Sequence, residues 1–383
     1  ADGRRYFHYR TRAPITNLLT IISGRFQVER ARLGEVDIEI YYHPRHASNI
    51  ARMMRVTKAT MAYASNAFGP YPHGQLRIVE VPRYDKQLAM SLGGLITMSE
   101  DFGFTSQEGG VDHVTYVTSH EVAHQWWNHQ VVSARAQGAC MIAESLSQYT
   151  SVAVIEQEFG KEAVHEWLLD DAGDYFKGRK REVRTEMPLV EVENQAYIHY
   201  LKGNLAFQAL RDVMGEDRLN QVLRQFVTDY RFQGPPYPTA AELVGRFRSA
   251  LPAQHQGLIE DLFESVTLYD NRMLSAEYEP MKDGRFRIDL TLSSRKLKVD
   301  SQGEEVAQDA AGLIEIGCYA QDQILPFTLA SRTITGSKMR VELIVEQEPQ
   351  RVGLDPLLKM IDRDRKDNFK VMKRSGRLAD VKN

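Results

Sequence analysis

Residues 120–124 read His-Glu-Val-Ala-His, and this pentapeptide constrains the chain more than any other feature. On a helix, positions i and i+4 share a face, so both imidazoles can reach one ion. Glu121 sits one step round, near enough to take a proton from water on that ion. Val114 and Val117 continue an apolar side upstream, and Asp112 can cap such a helix after Gly109-Gly110. Catalytic zinc sites take three protein ligands and leave a position for water. A third ligand is therefore expected from a neighbouring element, and Glu144 fits. It lies in Met141-Ile-Ala-Glu-Ser-Leu-Ser-Gln-Tyr149, which can run as a helix to about Phe159. The loop at residues 129–138 is long enough to lay the two helices side by side. The expectation is one Zn2+ held by His120, His124 and Glu144, with Glu121 as general base. The bland alternative is a motif arising by chance, which leaves Glu144 an ordinary helix glutamate.

Bulk properties set the frame. The chain has 383 residues, 26% of them charged, with a formal net charge of -3. That balance gives no single-sign field to favour nucleic acid or an anionic membrane. No segment approaches the roughly 18 apolar residues of a membrane-spanning helix. Two cysteines, Cys140 and Cys318, exclude a disulfide framework. The chain opens on Ala1, and residues 6–9 already read like the middle of a strand, so a piece of a longer protein is expected.

The expected fold class is α+β. Val36, Ile38, Ile40 and Tyr42 alternate as in a half-buried strand, and Ile50, Met54, Thr57 and Met61 step as in a helix. Residues 76–81 and 95–97 read as short strands. Helical patterns dominate from about 112 to 268. Period-two alternation then returns at Phe286, Ile288, Leu290 and Leu292 and at Met339, Val341, Leu343 and Val345. These runs predict a small β-sandwich module. The domains expected are a remnant of a preceding β-rich domain at 1–34, a catalytic domain at 35–270, the β-sandwich at 271–365 and a frayed charged tail at 366–383.

These residues resemble the aminopeptidase N-type gluzincins, whose catalytic domain is thermolysin-like. That family carries HExxH, then a Glu, then a Tyr five residues further on. Here nineteen residues separate His124 from Glu144, one more than the family's usual spacing, and Tyr149 keeps the offset. The surplus residue is placed in the loop before Gly138. Ile198-His-Tyr-Leu-Lys-Gly203 resembles the family's Tyr-x-Lys-Gly segment, which implies that Tyr200 donates a hydrogen bond to the tetrahedral oxyanion. Without the resemblance Tyr200 reads as an aromatic at the edge of a core. Leu88-Ala-Met-Ser-Leu-Gly-Gly-Leu-Ile-Thr97 aligns with the family's Gly-Ala-Met-Glu-Asn block, with Ser91 in place of the glutamate that pairs with a substrate's α-amine. The wording His-Gln-Trp-Trp-x-His-Gln-Val, with residues 192–197 and 234–238, is most similar to peptidase-like domains fused to bacterial ABC-transporter permeases. The resemblance implies a membrane-attached parent protein of bacterial type, in which this part is a soluble domain, with transporter subunits as possible partners.

Three readings compete. The leading one is a zinc exopeptidase that trims peptide N-termini. Ser91 opens a second, a zinc endopeptidase without the usual amine anchor. The third is a non-catalytic domain that binds peptides or a transporter partner. Among neighbouring residues, Glu100 could stand in for the amine anchor. His129, Cys140, His199, Trp126 and Trp127 are expected to pack rather than bind metal.

Overall fold

The computed structural model describes residues 6, 8, 10–83, 88–107, 113–300 and 302–375. The proposed cap at Asp112 after Gly109-Gly110, part of the strand-like run at 6–9 and the end of the tail lie outside them. The chain divides into two compact units.

The first unit comprises Ala1–Val164, Val190–Gln195 and Leu210–Ala250. Its sheet has the order β1-β2-β3-β5-β4, formed by β1 (Gln27–Leu33), β2 (Val36–Tyr42), β3 (Gln75–Val81), β4 (Ala89–Leu92) and β5 (Leu95–Ser99). β2, β3 and β5 run parallel, while β1 and β4 are antiparallel edges. The 19-residue helix α1 (Ile50–Phe68) crosses between β2 and β3. The alternation in β2 has a physical outcome: Ile38 and Ile40 are fully buried while Asp37 is exposed. They share a core with Met53 and Met61 of α1, Leu76 and Ile78 of β3, Ile96 and Met98 of β5, and Val114, Val117 and Val122 of helix α2 (His113–Ala123). The described side chains of α2 are buried on nearly every side, which marks a central helix rather than a surface one. The unit also contains the start of α3 (Leu146–Arg181), which breaks at Gly160 (φ 86), one residue after the expected end of the helix. Two further helices, α5 (Glu216–Tyr230) and α6 (Ala240–Ala250), complete it.

The second unit comprises His165–Leu189, Ala196–Ala209 and Leu251–Asn383. It carries the first part of α4 (Gly203–Met214) and the short α7 (Gln256–Ile259). Two sheets come after these helices. One has the order β11-β7-β6-β14, with β8 on the outer part of β7; the other has the order β10-β9-β12-β13. The strands are β6 (Thr267–Pro280), β7 (Phe286–Val299), β8 (Glu305–Asp309), β9 (Ala311–Tyr319), β10 (Thr328–Thr335), β11 (Lys338–Val345), β12 (Arg351–Leu354), β13 (Phe369–Val371) and β14 (Lys373–Arg374). Ile288, Leu290 and Leu292 of β7 meet Ile314, Ile316 and Cys318 of β9 in one hydrophobic core.

β1 pairs with β2 along its whole length, so residues 27–33 join the first unit's sheet. Residues 369–371 and 373–374 form β13 and β14. The reason is the Phe369 ring, which lies where a Cβ on Gly353 would stand, 2.2 Å away, and packs on Tyr319 at 6.0 Å. The surrounding charges obscure that anchor in the sequence. Residues 35–270 contribute to both units.

Candidate active site

The site is built in the first unit. α2 ends at Ala123, yet the amide of His124 still donates to the carbonyl of His120 at 3.2 Å, so the i, i+4 relation survives past the helix end. The next residues leave the helix and bury Trp126 and Trp127 completely. Each removes about 200 Å² from water, roughly 5 kcal/mol by area. Their indole N–H groups donate to the Gly69 carbonyl at 2.8 Å and to Thr150 Oγ1 at 3.0 Å.

Glu144 arrives from the other side, on the wide π-helical turn Met141–Ser145 that leads into α3. The chain reaches that turn through Gly138, held at φ 84, whose amide donates to the Val192 carbonyl at 2.9 Å. A Cβ there would stand 2.2 Å from the Val190 carbonyl oxygen, so the entry point of Glu144 admits only glycine.

The structure brings together His120, Glu121, His124 and Glu144. Glu144 Oε2 lies 3.2 Å from His120 Nε2 and 3.4 Å from His124 Nε2. His120, Glu121 and His124 each offer a ligand atom within 4.8 Å of the others. Outward-facing nitrogens are held as well. His120 Nδ1 lies 2.8 Å from Gln148 Oε1, and His124 Nδ1 lies 3.0 Å from both the Trp127 carbonyl and Ser147 Oγ. Both rings are thereby oriented with Nε2 towards Glu144.

The electrostatics come from burial and this clustering. Burial opposes the Glu144 anion, but contacts from His120 and His124 outweigh it and hold the carboxyl well below the usual range. Burial also opposes a charged His124, yet the Glu144 and Glu121 carboxylates push its pKa up to about 9. For Glu121 burial wins, so its carboxyl is raised despite the two imidazoles. A raised carboxyl beside two imidazoles is suited to accept and return a proton.

The donor set fits zinc. A tetrahedral ion with bonds of about 2.0–2.1 Å sets its ligands about 3.4 Å apart, close to the spacing between Glu144 and each imidazole. Oriented Nδ1 atoms are what such a centre requires of its surroundings.

Gln125 joins the site to the sheet edge. Its Nε2 donates to Ser91 Oγ at 2.7 Å and to the Leu92 carbonyl at 2.8 Å, and its Oε1 accepts the Gly94 amide at 2.9 Å. The hydroxyl of Ser91 is thus engaged by the residue next to His124.

Residues 52–238 match the Peptidase family M1 domain. This segment contains His120, Glu121, His124, Glu144 and Tyr200. A stretch of 146 residues is 30% identical to "Probable aminopeptidase 2" of Sulfurisphaera tokodaii, covering 37% of this chain and 18% of that protein. The fold is similar to that of Legionella pneumophila aminopeptidase A, solved in complex with aspartic acid, with a TM-score of 0.60 at 15% identity over 93% of this chain and 39% of that one. The chain thus spans less than two-fifths of the length of either protein.

Other residues of the M1 segment take different places. Tyr200 belongs to the second unit, on the wide turn Tyr197–Lys202, its ring 4.3 Å from that of His199. Lys202, two residues on, is fully buried and bonds Glu186 at 2.9 Å; Tyr175 and Arg179 bond the same carboxylate at 2.8 and 2.7 Å. His129 is buried, with Nδ1 3.4 Å from Thr16 Oγ1. Cys140 is half-buried, and burial together with the nearby Glu144 pushes its thiol up. Glu100 faces His46 and Glu80. Reading the sequence missed Gln148, Ser147 and Gln125. Only Gln148 carried a usable signal, four residues past Glu144 on the expected helix.

Proposed function

We propose that the M1 segment hydrolyses peptide bonds with the help of one zinc ion, removing N-terminal residues from peptides. The observation that carries this reading is the meeting of two imidazole Nε2 atoms with the Glu144 carboxylate, with Glu121 buried beside them. His120, His124 and Glu144 would hold the metal. When bound, zinc supplies Lewis acidity towards the scissile carbonyl and lowers the pKa of water. Glu121 takes the proton of the attacking water and returns it to the leaving amine. Tyr200, from its place in the Tyr-x-Lys-Gly match, donates its hydroxyl to the oxyanion. The names of the two relatives support exopeptidase action.

Ser91 favours a second reading. It stands where the resemblance places an amine-binding glutamate, and its oxygen already accepts from Gln125. On that reading the enzyme cleaves without anchoring a free amine. The finer architecture, a thermolysin-like domain followed by a β-sandwich, is supported by α2 and α3 facing each other through Glu144 and by the core shared between the two C-terminal sheets. We further read the chain as part of a membrane-attached parent fused to a transporter permease, on the residue pattern around 124–131. Among the described residues no helix is long and apolar enough to cross a membrane, so attachment on this reading lies elsewhere in the parent.

The test is hydrolysis of one peptide in free-amine and N-acetylated forms by zinc-loaded protein, with Glu121→Gln as control. Cleavage of the free-amine peptide alone, lost in the variant, supports the exopeptidase. Cleavage of both forms establishes the second reading. Cleavage of neither, with zinc bound, overturns both in favour of a binding domain.

A further inference from the structure

The C-terminal ends of the parallel strands β2, β3 and β5 lie side by side. His43 and His46 come after β2, Glu80 is the penultimate residue of β3, and Glu100 comes directly after β5. The sheet thus carries three metal-ligating side chains from three separate segments to one place, the edge at which parallel sheets commonly bind ligands. Each of His46, Glu80 and Glu100 offers a ligand atom within 4.8 Å of the other two. His46 Nδ1 lies 2.5 Å from Glu80 Oε1 and 3.9 Å from Glu100 Oε2. The outer oxygens are held by backbone: Glu80 Oε2 accepts the His43 amide at 2.6 Å, and Glu100 Oε1 accepts the Arg83 amide at 3.4 Å. The ring of His43 stands beside that of His46, centroids 4.8 Å apart.

Charge makes this more than a hydrogen-bonded histidine. Two carboxylates face one imidazole, and Glu80 is only 6% exposed. Among the described residues no lysine or arginine side chain pairs with either glutamate. Buried carboxylates are costly unless paired, and a cation here would pair the buried Glu80 together with the partly exposed Glu100. The 3.9 Å between His46 Nδ1 and Glu100 Oε2 is close to the roughly 3.4 Å that a tetrahedral ion sets between its ligands, whereas the His46–Glu80 hydrogen bond at 2.5 Å would have to open by about 1 Å to admit the ion. One imidazole with two carboxylates is a borderline-to-hard donor set, suited to first-row divalent ions.

We propose that His46, Glu80 and Glu100 form a second cation site that takes a divalent first-row transition ion such as Zn2+ or Mn2+. The site shares no residue with the His120, His124 and Glu144 cluster, and His46 lies outside the segment that matches the M1 domain. Its ion clamps the ends of three strands, including β5, whose hairpin partner β4 carries Ser91.

Zn2+ serves as the probe, and hydrolysis is not the readout, so the outcome is independent of the proposed peptidase activity. Protein saturated with Zn2+ and freed of excess by gel filtration is analysed by elemental mass spectrometry. Wild type is expected to hold two equivalents and the His120→Ala/His124→Ala variant one. Adding Glu80→Gln to that variant is expected to remove the remaining equivalent and to abolish the rise in Tm that Zn2+ gives. His46→Gln provides the same readout at a partly exposed position should Glu80→Gln fail to fold. A His120→Ala/His124→Ala variant with native circular dichroism and no bound zinc overturns the proposal, as does an equivalent that survives both second substitutions.

Discussion

Gln148 sets its side-chain oxygen 2.8 Å from Nδ1 of His120, one helical turn beyond the Glu144 carboxylate that meets Nε2 of the same ring at 3.2 Å. A single stretch of chain therefore grips both nitrogens of one imidazole. Position and tautomer are fixed together, because an amide oxygen can only accept and so places the proton on Nδ1.

Replacing Gln148 with Leu is expected to weaken zinc binding by about 10–100-fold, the usual cost of losing an orienting partner. Competition against a fluorescent chelator measures it. Ser147→Ala should cost less, because the Trp127 carbonyl remains 3.0 Å from His124 Nδ1.

Gln125→Leu removes three buried hydrogen bonds at once and leaves the Leu92 carbonyl and the Gly94 amide without that partner. A loss of about 2–4 kcal/mol is expected. Urea denaturation reads it, and a loss below about 1 kcal/mol would show that the β4–β5 hairpin is held by other contacts.

Lys202→Met should be among the most damaging single changes in the second unit. It strips one cation from a buried carboxylate that also holds Tyr175 and Arg179. Breaking one partner of such a cluster costs about 3–5 kcal/mol. Lys202→Met combined with Glu186→Gln should cost clearly less than the sum of the two, which a double-mutant cycle checks.

Stability should also depend on pH through Asp171. Burial raises its carboxyl to about 7, against a bond from Asn204 that works the other way. The native state holds this proton more tightly than the unfolded chain does. The contribution is therefore fully present below about pH 4 and is lost as pH rises through about 7, at up to about 1.4 kcal/mol per unit. Asp171→Asn should flatten the stability profile between those values. An unchanged slope in denaturation midpoints would count against the assignment.

Much of this arrangement was legible in the sequence. The shared face of His120 and His124 follows from helical spacing, the meeting of Glu144 with both rings from its place on the next helical stretch, and β2, β7 and β11 from strict alternation. Other features had no local signature. β13 depends on one phenylalanine among charges meeting a glycine far away in the chain. The convergence of His46, Glu80 and Glu100 depends on strand order and direction, which no short pattern encodes. The engagement of Ser91 by Gln125 is a contact across 34 residues, visible only once the hairpin is laid against α2.

Three residues singled out from the sequence, Glu100, Glu144 and Tyr200, all sit on wide turns: Glu100–Phe104, Met141–Ser145 and Tyr197–Lys202. Where such a turn runs into an α-helix, as at Met141–Ser145 and Tyr197–Lys202, it stores an additional residue and rotates the chain on one side by about 100° relative to the other. Chain length at these points therefore works as a dial. Removing one residue from 141–145 would leave α3 intact yet swing Glu144 off His120 and His124. The surplus residue between His124 and Glu144 can be taken up in such a turn as readily as in the loop before Gly138. For this protein, counting residues between landmarks matters as much as naming them.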